Sequence, residues 1–302
     1  MTRLSEIQSE IANMGELRDI VGAMRSLAGM RVQEAQNALP GIHRFAQSMA
    51  RAIGSALLLL PQSLTEALRG QGRRALVLCT AEHGFVGGFN ERLLDAAEAI
   101  LKPADRLFVL GSRGAARAFE RGREPAWTRA MPTRLAGAPD TVSRLTNALY
   151  AHIAGGEFTR VEVMFSRYRQ GAPATIEHHV VLPLEPTMLA AGSPAQAPLH
   201  NLAPQPLVEK LMAEFVFALL TEAAVESIAS ENAARFAAME SAHDNVGKKL
   251  ARLEENARQA RQTEITSEIL DLITGAEAMQ KRTEPADVTR RNAGKSTFPA
   301  RS

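Results

Sequence analysis

Residues 207–279 read LVEKLMAEFVFALLTEAAVESIASENAARFAAMESAHDNVGKKLARLEENARQARQTEITSEILDLITGAEAM, a stretch without proline in which glycine occurs only at Gly247 and Gly275. Apolar residues recur every three or four positions, at Val208, Leu211, Phe215, Leu219 and Ala223 and later at Leu250, Leu253, Ala257 and Ala260. This spacing predicts one helix with a narrow apolar seam. Unbroken, it would reach about 110 Å, several times the width of a compact domain, so it cannot bury itself and needs a partner helix.

The other end of the chain supplies the candidate. Leu4, Ile7, Ile11, Met14, Leu17, Val21, Met24 and Ala28 also fall three or four residues apart, close to a heptad repeat. Ser5 and Gln8 have capping-box spacing near its start, and Pro40-Gly41 predicts a kink or an interruption. Between these helices the character changes. Residues 74–79, 106–110, 160–166 and 175–182 read as strands, and residues 90–101, 113–121 and 141–154 as helices; Trp127, Pro132 and Pro139 mark a turn-rich stretch. Strand and helix alternate, which predicts an α/β layer with a largely parallel sheet. A proline-rich loop over 183–206 closes it. The expected fold class is α/β with long helices, the N- and C-terminal helices pairing with an α/β domain inserted between them. The expected division is an N-terminal helix at 1–62, the α/β domain with its loop at 63–205, a C-terminal helix at 206–280 and a disordered polar tail at 281–302.

Charge narrows the function classes. The 302 residues hold 35 basic and 33 acidic side chains, a net +2, so the chain as a whole is not built to bind nucleic acid or an anionic membrane by charge. That average conceals a net of −6 over 206–280 and +4 over 281–302. Clean apolar runs such as residues 56–60 are far short of the roughly 20 residues that span a bilayer, and the N-terminus, with acid at Glu6 and no apolar run, is not a signal peptide. Cys79 is the single cysteine and sits in an apolar run, which predicts a buried structural thiol and a reducing cytoplasmic setting.

No catalytic constellation is visible. The cluster His83-Gly84-Phe85-Val86-Gly87-Gly88-Phe89-Asn90 follows a strand and precedes a helix, where a phosphate loop would sit, but it has neither Rossmann nor P-loop spacing. Gly84, Gly87 and Gly88 are read as a structural turn that also allows close packing of helix on sheet. Gly111-Ser112-Arg113-Gly114 reads as a helix cap or, alternatively, an anion site. Adjacent His178 and His179 face opposite ways on a strand, the remaining histidines lack ligand spacing, and no metal site or cofactor is expected. Glu254-Glu255 and Glu264 with Glu268 read as solvated helix charge.

The C-terminal helix carries a resemblance. Ser230-Glu231, Arg235-Phe236-Ala237-Ala238-Met239, Asp244-Asn245, the run from Arg261-Gln262-Thr263-Glu264 to Ile269, and Gly275-Ala276-Glu277-Ala278-Met279 resemble the closing signature of the gamma subunits of F-type ATP synthases. Gly84-Phe85-Val86-Gly87-Gly88-Phe89-Asn90 is similar to that family's Gly-Leu-Cys-Gly-Gly-Phe-Asn turn, and Ala23-Met24 and Ala28 match on the first helix. Glu16-Leu17-Arg18-Asp19-Ile20-Val21 departs from the family's polar run Asn-Thr-x-Lys-Ile-Thr, as Ala257-Arg258 does from its Tyr-Asn, marking a divergent member.

The resemblance implies an antiparallel left-handed coiled coil of the N- and C-terminal helices, forming a shaft, with a Rossmann-like α/β domain inserted between them, and a non-catalytic central-stalk rotor. It would transmit torque between the membrane c-ring and the catalytic hexamer of alpha and beta subunits, with the epsilon subunit as a further partner. It would touch the membrane only through the complex, on the cytoplasmic face of the inner membrane. Arg261, Gln262 and Thr266, with Met24 on the first helix, match positions that contact the beta subunit; Arg261 pairing with Glu264 inside the helix is the other reading. A turn at Pro40 to His43 and the loop over 193–205 are candidates for the c-ring. The competing reading is a nucleotide-binding α/β protein, with the phosphate at residues 84–88 and the helices serving to dimerise it.

Overall fold

The computed structural model describes residues 3–60, 73–184 and 199–283. Two long helices, α1 (Arg3–Leu57) and α5 (Pro204–Thr283), bracket β1 (Arg74–Cys79), α2 (Phe89–Glu98), β2 (Arg106–Leu110), α3 (Ser112–Glu120), β3 (Trp127–Arg129), α4 (Ala138–Ala154), β4 (Arg160–Arg169) and β5 (Ala172–Leu182). The chain divides into two compact units, residues 17–245 and the two chain ends that precede and follow them.

In the unit of residues 17–245 the sheet order is β3-β2-β1-β4-β5. β1 pairs parallel to β2 and β4, β3 parallel to β2, and β5 antiparallel to β4. Alternate residues of β1 explain why both faces are covered. Leu76 and Leu78 pack with Leu93, Leu94 and Ala97 of α2 and Ala118 of α3. Val77 and Cys79 face Val142, Leu145 and Leu149 of α4 and Val216, Leu220, Ala223, Ala224 and Ile228 of α5. A sheet buried on both faces produces continuous apolar strands, as 75–79 and 107–110 are.

Two features depart from the sequence reading of this domain. The stretch around Trp127, expected as turns, forms the short strand β3, held in register by Phe108 opposite Trp127, whose rings stack at 6.0 Å. Three residues are too few to show a period. β4 and β5 also run three residues further toward each other than their apolar runs, to Arg169 and from Ala172, because Gly171 at φ +72° closes the hairpin.

α1 and α5 run antiparallel along one another. Ala46, Ala50 and Ile53 meet Phe215 and Ala218, while Ala35 and Leu39 meet Val225 and Ala229. Further along, the Gly29 backbone lies against the Phe236 ring. Alanine dominates the buried seam of α1, so the two backbones approach closely. Of the kink or interruption expected at Pro40, the interruption does not occur: helix α1 continues through it. Pro40 and Gly41 lie on the exposed face, and Ala35, Leu39 and Ile42 anchor the helix on either side of the missing N–H. Residues 40–43 are therefore helix and not a turn. The narrow seam expected of α5 also fails over residues 223–232, every one of which is buried, because the helix there is wedged between the sheet and α1.

The unit of the chain ends keeps the simpler pattern. Leu4, Ile7, Ile11 and Met14 are half-buried, Leu253 is buried, and Lys249 Nζ lies 2.8 Å from Glu10 Oε1. Helix α1 already includes Arg3, so Ser5 lies inside its first turn. Leu17, placed in the seam by its spacing, is instead 40% exposed. Residues 193–198 of the loop and 284–302 of the tail lie outside the described residues; α5 extends to Thr283.

Candidate functional site

In the sheet order the chain reverses direction beside β1: it steps outward through β2 and β3, then crosses to β4 on the other side. The crevice at the carboxyl ends of β1 and β4 is where open α/β sheets take their ligands. Here the chain's own helix fills it. Ser227 Oγ on α5 donates to the Cys79 carbonyl at 2.7 Å, and Ser230 Oγ is bonded to Ser166 Oγ of β4 at 2.6 Å, all buried. One turn later Arg235 Nη2 lies 2.5 Å from Glu231 Oε1 and Arg235 Nη1 donates to Asn232 Oδ1 at 3.0 Å. The same guanidinium reaches the carbonyls of Gly84 and His83 at 3.4 and 3.5 Å, the turn that leaves β1. Burial pushes the Glu231 carboxyl above its ordinary range, and the Arg235 charge pulls against that shift. A buried, partnered ion pair therefore clamps the glycine turn to the long helix.

The second βα turn carries its own anion. Glu82 accepts from the Ser112 N–H at 2.9 Å, the Ser112 hydroxyl at 2.8 Å and the Met131 N–H at 2.9 Å. A carboxylate at the start of α3 satisfies free N–H groups and the helix dipole, the job a bound phosphate would otherwise do. The cap reading of residues 111–114 holds, with the cap supplied from residue 82. Close packing of helix on sheet, expected at Gly84, Gly87 and Gly88, occurs at Gly111 and Gly114 instead. A Cβ on Gly111, which has φ +107°, would lie 2.4 Å from the Thr80 carbonyl oxygen, and one on Gly114 would lie 2.0 Å from Thr80 Oγ1. Around Gly84, Gly87 and Gly88 there is open space; Gly87 has φ +54°, and Phe85, at φ +61°, is exposed.

The residues expected to face a partner fall in both units. Arg261, Gln262 and Thr266 are exposed on α5 in the unit of the chain ends. Thr266 Oγ1 donates to the Gln262 carbonyl at 2.7 Å, and among the described residues no ion pair engages Arg261, so pairing with Glu264 is not formed. Beside them Ile265, Ile269, Leu272 and Ile273 are all about half exposed or more. Met24 is half-buried on α1 in the other unit. His178 is hydrogen-bonded to Glu162 at 2.7 Å while His179 Nε2 lies 3.5 Å from a separate carboxylate, Glu177, and among the described residues no cluster could hold a metal ion. Cys79 is buried, and burial pushes its thiol up to about 12. No described helix is long and apolar enough to cross a membrane.

The resemblance covers Ser230, Glu231 and Arg235 but does not show that they form a clamp. The signal lies in the sequence: Ser227, Ser230, Glu231, Asn232 and Arg235 recur at spacings of three, one, one and three, with Ile228, Ala229, Ala233 and Ala234 between them.

With this geometry in view, comparison with known proteins is decisive. The family model described as ATP synthase matches residues 3–279. The chain belongs to the ATP synthase family. Along nearly its whole length it is similar to ATP synthase gamma chains, at 28% identity to that of Streptomyces avermitilis (94% of this chain, 99% of the relative) and 24% to that of Trichlorobacter lovleyi (93% and 100%). Its fold is that of a central-stalk subunit. A chain of the Euglena gracilis mitochondrial ATP synthase, solved with OSCP, F1 and c-ring, superposes with a TM-score of 0.62 over 95% of this chain and 98% of that one, at 15% identity. A central-stalk chain from Tetrahymena thermophila gives 0.54 over 74% and 99%, at 16% identity.

Proposed function

We propose that this chain is the central-stalk rotor of an F-type ATP synthase, carrying torque between a membrane c-ring and a catalytic hexamer of alpha and beta subunits, with an epsilon subunit beside it. It performs no bond chemistry; the assembled complex is the ion-transporting two-sector ATPase. It meets the membrane only through that complex, on the cytoplasmic face of the inner membrane. Arg261, Gln262 and Thr266 on α5 and Met24 on α1 contact the beta subunit, where Arg261 donates a charge-assisted hydrogen bond to a beta carboxylate.

The observation that carries this reading, within a chain of the ATP synthase family, is the seating of α5 in the crevice between β1 and β4. A helix that completes the sheet core and is bonded at Ser227, Ser230 and Arg235 cannot turn without the α/β domain, which a torque-bearing part requires. The same seating speaks against a nucleotide in the crevice or at the α3 N-terminus, because both already hold groups of this chain. Purification of the assembled complex tests the proposal: one copy of this chain for three alpha and three beta subunits is expected, and equal stoichiometry refutes it.

A further inference from the structure

A second charge cluster, half-buried around a buried Glu226, lies where α1, α5 and the β4–β5 hairpin meet, all within the unit of residues 17–245. From α5 it receives Glu222 and Glu226, one helical turn apart. From α1 comes His43, whose Nε2 lies 3.0 Å from Glu222 Oε1, and from β4 comes Arg167, whose Nη2 donates to the same Glu222 oxygen at 3.3 Å. Arg167 Nε is 3.3 Å from Glu226 Oε1 but is not aligned to donate to it. On β5, Glu177 stands 3.8 Å from Arg167 and shares Arg169 and His179 as its other charged neighbours. The Glu226 side chain is 6% exposed, and its Oε2 has no hydrogen-bond partner among the described residues.

The charge count is unbalanced. Glu222 and Glu226 face one permanent cation, Arg167. One buried carboxylate is therefore left uncompensated, and a single proton restores neutrality. We propose that this junction is a proton-operated latch: with a proton on Glu226 it holds α1, α5 and the β4–β5 hairpin together, and loss of that proton loosens the three from one another.

Burial raises the Glu226 carboxyl above its ordinary range, and the neighbouring Glu222 charge adds to the shift while Arg167 and His43 oppose it. An acid whose affinity for a proton is higher in the closed state stabilises that state at low pH and stops doing so as pH rises through the raised value. One linked proton changes the opening equilibrium by about tenfold per pH unit at most.

Hydrogen exchange of the full chain between pH 5 and 8.5, corrected for the intrinsic pH dependence of exchange, reads the latch directly at residues 39–46 of α1 and 218–229 of α5. The parent chain should lose protection there as pH rises, approaching tenfold per unit, while the α2–β1 region stays flat. Glu226→Gln, neutral at every pH and nearly isosteric, should remain protected to pH 8.5, and His43→Gln should keep the slope. A parent chain with flat protection overturns the proposal, as does a slope that survives Glu226→Gln. A slope abolished by His43→Gln but kept in Glu226→Gln overturns it too, by placing the proton on His43.

Discussion

Replacing Arg235 by Met tests the clamp between α5 and the glycine turn. Both members of the pair are almost fully enclosed, with side-chain exposures of 7% for Arg235 and 6% for Glu231. Removing only the cation leaves a buried carboxylate facing the weak remaining donors. Breaking such a pair costs about 3–5 kcal/mol if the charge stays. Glu231 has a way out, since it can take up a proton. From an ordinary value near 4.3, that costs about 3.7 kcal/mol at pH 7, which sets a ceiling. Part of this burden already exists in the parent chain, because burial raises the Glu231 carboxyl even with Arg235 present. The expected loss is about 3 kcal/mol at pH 7.

The escape route fixes the sign of the pH dependence. The folded state of Arg235→Met holds the proton that the unfolded state releases, so its stability deficit grows as pH rises and shrinks to about 1 kcal/mol or less at pH 5. Trp127 is the sole tryptophan, lies in the same unit as the clamp and stacks on Phe108, so its fluorescence follows urea unfolding of the relevant sheet. Adding Glu231→Gln to Arg235→Met should restore stability at pH 7 to within about 1 kcal/mol of the parent, since no charge is then left buried. A loss under 1 kcal/mol at pH 7, or an equal loss at pH 5 and pH 7, would refute the clamp.

Gly114→Ala places a methyl group 2.0 Å from Thr80 Oγ1 and 2.2 Å from its Cβ, and Thr80 is completely buried. It should cost about 3 kcal/mol or more in thermal or urea unfolding, with recovery on adding Thr80→Gly; an unchanged melting temperature contradicts the packing described. Glu162 is buried, yet Arg160, His178 and Arg74 outweigh that burial and hold its carboxyl below the ordinary range. Its contribution is thus complete above about pH 4.3 and disappears as pH falls through the lower folded value, so Glu162→Gln should flatten the acid limb of a stability profile. Arg261→Ala, on an exposed face, should shift stability by no more than about 0.5 kcal/mol while lowering ATP turnover in the assembled complex; full turnover removes the role assigned to Arg261.

The long helices and most of the sheet were legible because their periods persist for many residues. Leu4 to Met14 and Val208 to Ala223 repeat every three or four positions, and β1 and β2 are unbroken apolar runs. Trp127–Arg129 was not legible, since a three-residue strand has no period and is defined only by Phe108 opposite it. Pro40 misled for a related reason: local chemistry favours a break, whereas Ala35, Leu39 and Ile42 are packed on both sides of it. Only 5% of the residues are aromatic, and their placement follows the architecture. Phe89, Phe108, Phe158 and Phe165 all pack around the sheet, while alanine lines the buried face of α1. The clamp was half visible: its residues were recognisable by resemblance, but only the sheet's strand order reveals that they plug a ligand crevice.

Because Val216, Leu220, Ala223, Ala224 and Ile228 complete one face of the sheet, that face has only its α4 cover, from Val142, Leu145 and Leu149, when β5 leaves the ribosome. About 46 residues separate Leu182 from Ile228, and at roughly 5–20 residues per second the sheet waits some 2–9 s for its last layer. During synthesis the α/β domain is thus a partly covered sandwich, and the same contacts that later keep it from slipping on the helix leave apolar surface around Val77, Phe108 and Val163 exposed until that helix arrives.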